Sequence, residues 1–427
     1  MLVRSGGRPS LACPPSAMHV LSVIHYPVWG GPHNRNSMVA PLLEQRGIRV
    51  TVLLPDEPGN AAERLRGRGM HVVQMPLGRL RRKLDPRVHV RLAAGLREEV
   101  RRIRDLIRRE GVDLVLVNGL VNPQAAIAGH LERVAVTWQL LDTFAPFPLR
   151  VAFMPVVRCL ADSVMTSGDA IARVHPWTGG LNARLVSFFP VVDVERFRPD
   201  PARRAAARRE LGFSPDCVVV GNVSNLNPMK GHLTFVRAAG VLRRSRPDTR
   251  FVILGATYSH RPGYLDQVLA EAATAGLRQG RDLVVLDPQN RVAELAAAFD
   301  VFWLTSEPRS EGLPTVVGEA MALGVPVVAT DVGAVSEAVG QNAGQDAGGL
   351  LVAPRDVDGL ANTTLELIDD YERRRALGAA GRRRAVALYA AEASAERHLE
   401  AFAVALAWRR GRRFLHAPRV GSAEAAR

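Results

Sequence analysis

Glu311 and Glu319 stand with seven residues between them in the stretch EGLPTVVGEAMALGVPVVA, Glu311 to Ala329. Two carboxylates at such a spacing can form an acid/base dyad, or they can accept hydrogen bonds from hydroxyls. The surrounding residues favour the second use. The stretch reads as a loop, a helix N-terminus, an apolar small-residue helix, a turn at Gly324 and a buried strand from Val325 to Ala329. A helix N-terminus beside a carboxylate-bearing loop suits a polyhydroxylated, anionic ligand: its amides face the anion while the carboxylates take hydroxyls. For Glu319 the plain alternative is a first-turn acid that favours the helix dipole. Lys230 is the second candidate. The chain has two lysines, Lys83 and Lys230, and writes the rest of its basic charge in arginine. A lysine kept beside Gly231 in GNVSNLNPMKGH therefore stands out.

The elements that must position these groups alternate β and α. His19 to His25 is a short apolar run suited to a buried strand. A turn containing Gly30 and Gly31 follows, then a helical pattern from 33 to 45 and a strand from Ile48 to Leu54. That is a βαβ unit whose glycine pair lets a ligand approach the backbone. It lacks GxGxxG, so it is not a dinucleotide signature. Further strands are expected at 70–75, 112–117, 134–140 and 161–166, and polar groups directly after them would lie at the carboxyl ends of a parallel sheet. A second alternating set begins at Cys217. From Val357 the chain reads as helices, with a basic tail from Trp408.

The 427 residues exceed one ordinary core, so two domains are expected. Composition is globular, 47% hydrophobic and 23% charged, and no apolar run is long enough to span a bilayer. Three scattered cysteines do not form a disulfide framework. The net charge of +14 allows anionic partners. The basic region 79–109 reads as a helix with apolar residues on one face and arginines on the others, either a solvated outer face or a patch for an anionic membrane surface. Nucleic acid is disfavoured, because aromatic stacking patterns and recognisable modules are lacking. Asp356-Val357-Asp358 spells D-x-D, but its place before a helix makes it a cap. No metal site is expected.

With these residues in view, the chain resembles the retaining glycosyltransferases of family 4, which have the GT-B fold. The carriers are EGLPTVVGEAMALGVPVVATD (Glu311 to Asp331) with VGAVSEAVG after it, GNVSNLNPMKGH, the linker VDVERFRP (Val192 to Pro199) and GGPHNRNSMVAPLLEQRG (Gly30 to Gly47). The resemblance implies an α/β fold with two Rossmann-like domains facing a cleft and a C-terminal helix returning to the first domain. The expected divisions are a flexible extension at 1–17, an acceptor domain at 18–192 and a donor domain at 193–375. Returning helices at 376–407 and a basic tail at 408–427 complete the chain.

The resemblance also implies roles. Glu319 would take the ribose hydroxyls and Glu311 the donor sugar, with the amides of Gly312 and Leu313 against sugar and diphosphate. Lys230 would carry the charge of the leaving diphosphate, which makes Lys230 and Glu311 the catalytic candidates. Gly30 and Gly31 would complete the donor site. The family places an arginine where this chain has Asn225, and Arg291 is the candidate to supply that charge. It places a histidine where this chain has Leu141, leaving Asp142 and His25 as acceptor-side candidates. No cofactor is implied. The nucleoside diphosphate sugar is a substrate, and the acceptor would be a glycan, a lipid-linked sugar or a small molecule. The competing reading is a degenerate, non-enzymatic sugar-nucleotide-binding or scaffold protein. A cytoplasmic protein, peripheral on the membrane, is expected.

Overall fold

The computed structural model describes residues 17–79, 86–141, 145–256, 263–308 and 311–415. The first sheet holds β1 (Met18–Val23), β2 (Ile48–Pro55), β3 (His71–Met75), β4 (Leu114–Asn118), β5 (Ala135–Leu140), β6 (Ser163–Ser167) and β7 (Leu185–Phe188). The second holds β8 (Val218–Val223), β9 (Thr249–Leu254), β10 (Leu283–Leu286), β11 (Val301–Leu304), β12 (Val327–Thr330) and β13 (Gly349–Val352). All strand pairs are parallel. Parallel strands covered by helices on both faces need continuous apolar runs, and β1 is buried along its whole length.

The orders are β3-β2-β1-β4-β5-β6-β7 and β10-β9-β8-β11-β12-β13. Each sheet therefore reverses direction beside its first strand, between β1 and β4 and between β8 and β11. Crevices at such reversals, outside the carboxyl ends, are where open α/β sheets take ligands. The first reversal carries Gly30 and Gly31. The second carries the Lys230 loop after β8 and the Glu311 loop after β11.

The strand beginning expected at Val325 starts at Val327, because Pro326 lacks the N–H of a ladder residue. The segment after Pro146 is a helix, Phe147–Leu160, with proline in its first turn, where a missing N–H costs nothing. Residues 1–16 of the expected extension lie outside the described residues.

The C-terminal helices correct the expected boundary at 376. The helix Tyr371–Tyr389 packs on the second domain, against the helix Thr315–Ala322. Only the helix Ala391–Leu415 crosses to the first, where Ala395, Phe402 and Ala405 join the core. The basic tail is helical as far as Leu415, and Arg409 is buried, donating from Nη2 to the His130 carbonyl at 3.0 Å. A polar network fixes this crossing helix. Buried Arg35 donates from Nη2 to Asn118 Oδ1 at 2.7 Å and to Gln139 Oε1. Gln139 Nε2 lies 3.0 Å from His398 Nε2, and His398 Nδ1 lies 2.7 Å from the Ser394 carbonyl. Burial pushes His398 down to about 3, so the ring is neutral, donates from Nδ1 and accepts at Nε2. Among the described residues, no helix is long and apolar enough to cross a membrane.

Candidate active site

Lys230 ends a short helical turn, Pro228–Lys230, whose start is capped by Asn227 Oδ1 accepting from the Met229 N–H at 3.0 Å. Gly231 then has φ +67, and a Cβ there would sit 1.8 Å from the Thr305 carbonyl oxygen. Glycine alone permits this approach, and it brings the β8 loop against the end of β11. Thr305 Oγ1 closes the join by donating to the Lys230 carbonyl at 2.9 Å.

The two loops meet through their charges. Lys230 Nζ lies 2.6 Å from Glu311 Oε1, with side-chain exposures of 25% and 7%. Ser306 Oγ donates to the same carboxylate oxygen. The pair is thus buried on the glutamate side and wet on the lysine side, so the ammonium has room to meet a ligand. Gly312 and Leu313 follow directly, the Gly312 carbonyl accepting from the Ala334 N–H at 3.3 Å.

Glu319 lies in the second turn of the helix Thr315–Ala322, which has no acid in its first turn. Dipole stabilisation fades beyond the first turn, so the plain alternative for Glu319 is not supported. The residue helps line an apolar recess with Phe197, Val292, Phe299 and Val316. Burial pushes its carboxyl up to about 7, with Arg196 of the linker acting against that shift. Among the described residues none donates a hydrogen bond to it. Its oxygens are thus open to donors that a ligand or water brings.

The other candidates fall in different places. A methyl group on Gly30 or Gly31 would meet nothing within 4 Å, so both present open backbone at the end of β1. Asn225 is exposed in the β8 loop, its carbonyl accepting from Asn227 Nδ2 at 3.2 Å. Arg291 does not join Lys230. Its Nη2 pairs with Glu210 Oε2 at 2.5 Å on the outer surface, because the helix Pro201–Glu210 packs beside its own. His25 does not face the cleft either. It is fully buried, and burial first, then Arg79, lowers its ring to about 3. Asp142 lies outside the described residues. Asp356 caps the helix Val357–Asp369, Oδ1 accepting from the Gly359 N–H at 2.8 Å.

Residue-by-residue reading missed Ser306, Thr305 and Arg196. The first two carried a usable signal, since they directly follow a parallel strand. Arg196 carried none: its guanidinium reaches the β10 loop, donating to the Asn290 carbonyl, only through the fold.

Two α/β domains, with a paired lysine and carboxylate and a second carboxylate beside the sheet reversal, suit a polyhydroxylated, anionic ligand of the sugar-nucleotide kind. Comparison with known proteins agrees. The model of the family described as "Glycosyl transferases group 1" matches residues 203–384. A Corynebacterium glutamicum protein is 36% identical over 306 residues, covering 69% of this chain and 77% of that one. It is named GDP-mannose-dependent monoacylated alpha-(1-6)-phosphatidylinositol monomannoside mannosyltransferase. A Mycobacterium tuberculosis GDP-mannose-dependent alpha-(1-6)-phosphatidylinositol monomannoside mannosyltransferase is 32% identical over 295 residues, covering 66% of this chain and 73% of that one. In fold, Anabaena HepE in complex with UDP superposes with a TM-score of 0.73 at 19% identity, over 90% of this chain and 99% of that one. A Rickettsia africae glycosyltransferase gives 0.76 at 16% identity, over 91% and 99%. The chain belongs to the glycosyl transferases group 1 family. It is a GT-B hexosyltransferase that takes its sugar from a nucleotide donor.

Proposed function

We propose that the chain is a retaining, metal-independent mannosyltransferase that moves mannose from GDP-mannose to a lipid-linked, inositol- or sugar-bearing acceptor. The Lys230–Glu311 pair carries this reading, because it places one cation and one carboxylate on adjoining loops at the sheet reversal. The names of the two mannosyltransferase relatives supply the donor and the acceptor class.

In this reading Glu319 accepts the ribose hydroxyls and Glu311 the sugar hydroxyls, and the amides of Gly312 and Leu313 lie against sugar and diphosphate. Asn225 donates a hydrogen bond in place of an arginine's charge. As the glycosidic bond breaks, negative charge grows on the leaving diphosphate and Lys230 stabilises it. Glu311 is engaged by Lys230 and Ser306, so it is an orienting acceptor rather than a nucleophile. The acceptor hydroxyl attacks from the face the diphosphate leaves, and the leaving phosphate takes its proton. The acceptor enters from the first domain, while the open backbone at Gly30 and Gly31 completes the donor site. Closure about the linker keeps water out.

The protein would work on the cytoplasmic membrane face. Arg97, Arg101, Arg102, Arg108 and Arg109 are exposed on the helix Pro86–Glu110. Glu98 and Glu132 neutralise part of that charge.

The test is a screen of GDP-mannose, UDP-glucose and UDP-N-acetylglucosamine against phosphoinositide and soluble inositol acceptors. NMR of the product gives the anomeric configuration. We expect turnover with GDP-mannose, an α product and an unchanged rate in EDTA. A β product overturns retention, loss in EDTA overturns metal independence, and turnover with the UDP donors alone overturns the donor.

A further inference from the structure

Glu337 lies in the second domain, on the helix Val335–Val339 after β12. Among the described residues no cation pairs with it. Its two oxygens reach across to the first domain instead. Oε1 accepts the Asp169 N–H and Oε2 the Ala170 N–H, each at 2.7 Å. These amides open the helix Asp169–Val174, directly after β6. A carboxylate bidentate on two backbone amides is a directional clamp, stronger than a neutral contact.

The residue before the clamp is built for it. Gly168 has φ +83, and a Cβ there would come within 2.6 Å of Leu313 Cδ1 and 2.8 Å of Glu337 Oε1. A side chain at 168 would prise apart both contacts. Leu313 belongs to the loop that begins at Glu311, so the β6 turn of the first domain seats on Glu337 and on the candidate donor loop together. The neighbouring Gly312 makes the same approach: a Cβ there would lie 3.6 Å from Ile171 Cδ1.

From behind, the clamp is held by the crossing point of the chain. Arg384 Nη2 donates to the Glu337 carbonyl at 2.8 Å and Nε to the Ala338 carbonyl at 3.1 Å. Tyr389 Oη donates to the same Ala338 carbonyl at 3.3 Å. The Tyr389 ring also fills the space beside Gly318, where a Cβ would be 2.5 Å away, one residue before Glu319. The Tyr389 carbonyl accepts from the Val192 N–H of the interdomain linker at 2.8 Å. The linker, the glutamate helix and the clamp helix thus share one buried tyrosine.

We propose that Glu337 is an interdomain positioning residue: by gripping the 168–170 turn it sets the first-domain wall against the donor loop, and so governs transfer and the exclusion of water rather than donor affinity. The proposal rests on the reading of the 311–319 region as the donor site.

The experiment compares wild type with Glu337→Ala and Glu337→Gln. Three quantities are measured: amide hydrogen exchange across 165–175, GDP affinity by calorimetry, and the partition of GDP-mannose between transfer and hydrolysis. In Glu337→Ala we expect faster exchange at Asp169 and Ala170, and GDP affinity within about twofold of wild type. Transfer should fall by about 10–100-fold, the cost of a small misplacement, and the hydrolysed share should rise. Glu337→Gln should fall between, since its amide oxygen can hold one of the two N–H groups. Unchanged exchange at 169 and 170 overturns the clamp, and this readout needs no turnover. An unchanged partition, or parallel loss of GDP affinity, transfer and melting temperature, overturns the positioning role. Failure of the donor-site reading appears elsewhere, as GDP binding that Glu319→Ala leaves intact.

Discussion

Replacing Lys230 by methionine keeps the side-chain stem and removes its charge. Two separable effects follow. Glu311, with 7% side-chain exposure, loses a cation 2.6 Å away and keeps the Ser306 hydroxyl. Stripping one partner from a fully buried pair costs about 3–5 kcal/mol. Lys230 keeps 25% of its exposure, so water screens the pair and about 1–2 kcal/mol is expected. The second effect falls on turnover. An ammonium about 4 Å from the leaving diphosphate at an effective dielectric of about 20 is worth at most about 4 kcal/mol. Losing one preorganised charge of this kind lowers kcat by about 100–1,000-fold. The double variant Lys230→Met/Glu311→Gln separates the two. It should regain most of the stability, because no unpaired buried charge remains, and none of the turnover. Thermal unfolding and GDP-mannose turnover are read on all three proteins. Turnover of Lys230→Met within about threefold of wild type, or its recovery in the double variant, would show that the ammonium does not stabilise the leaving diphosphate.

Four further outcomes are expected. Glu319 has its folded-state carboxyl raised to about 7 from 4.5, so its ionisation opposes folding: the penalty is absent below pH 4.5 and grows up to pH 7. Glu319→Gln should therefore melt higher than wild type at pH 8, by at most about 3 kcal/mol of stability, with the gain gone near pH 4. In wild type, GDP affinity should weaken as pH falls below 7, since only the carboxylate accepts both ribose hydroxyls; calorimetry at pH 6 and 8 checks it. Gly231→Ala should cost about 1–3 kcal/mol or more, because φ +67 and the Thr305 carbonyl both exclude a methyl; urea unfolding measures it. Replacing Arg97, Arg101 and Arg109 by glutamine should weaken co-sedimentation with anionic vesicles at low salt, and leave turnover of a soluble acceptor unchanged.

Much of this architecture is legible in the sequence, because buried parallel strands and small-residue helices leave few alternatives. The alternation of apolar runs located both sheets. The apolar small-residue pattern marked the helix that carries Glu319, though the residue falls in its second turn rather than its first. What failed depends on contacts between residues distant in sequence. Arg291 sat in the right loop, but Glu210 captures it. His25 follows β1 toward the cleft, yet burial closes it off. Glu337 meets Asp169 across 168 residues, a pairing no local pattern encodes. The domain boundary was misread by about one helix, because the helix Tyr371–Tyr389 and the crossing helix that follows have similar Arg/Ala composition but pack on different domains.

The central claim is that the free Glu319 carboxylate and the Lys230–Glu311 pair form one donor site. Its most direct test is calorimetric titration of GDP-mannose into wild type, Glu319→Ala and Lys230→Met. Saturable binding to wild type is expected, with losses of at least about tenfold in each variant, the size of two lost hydroxyl acceptors or one charge. Equal affinity across the three proteins would contradict it.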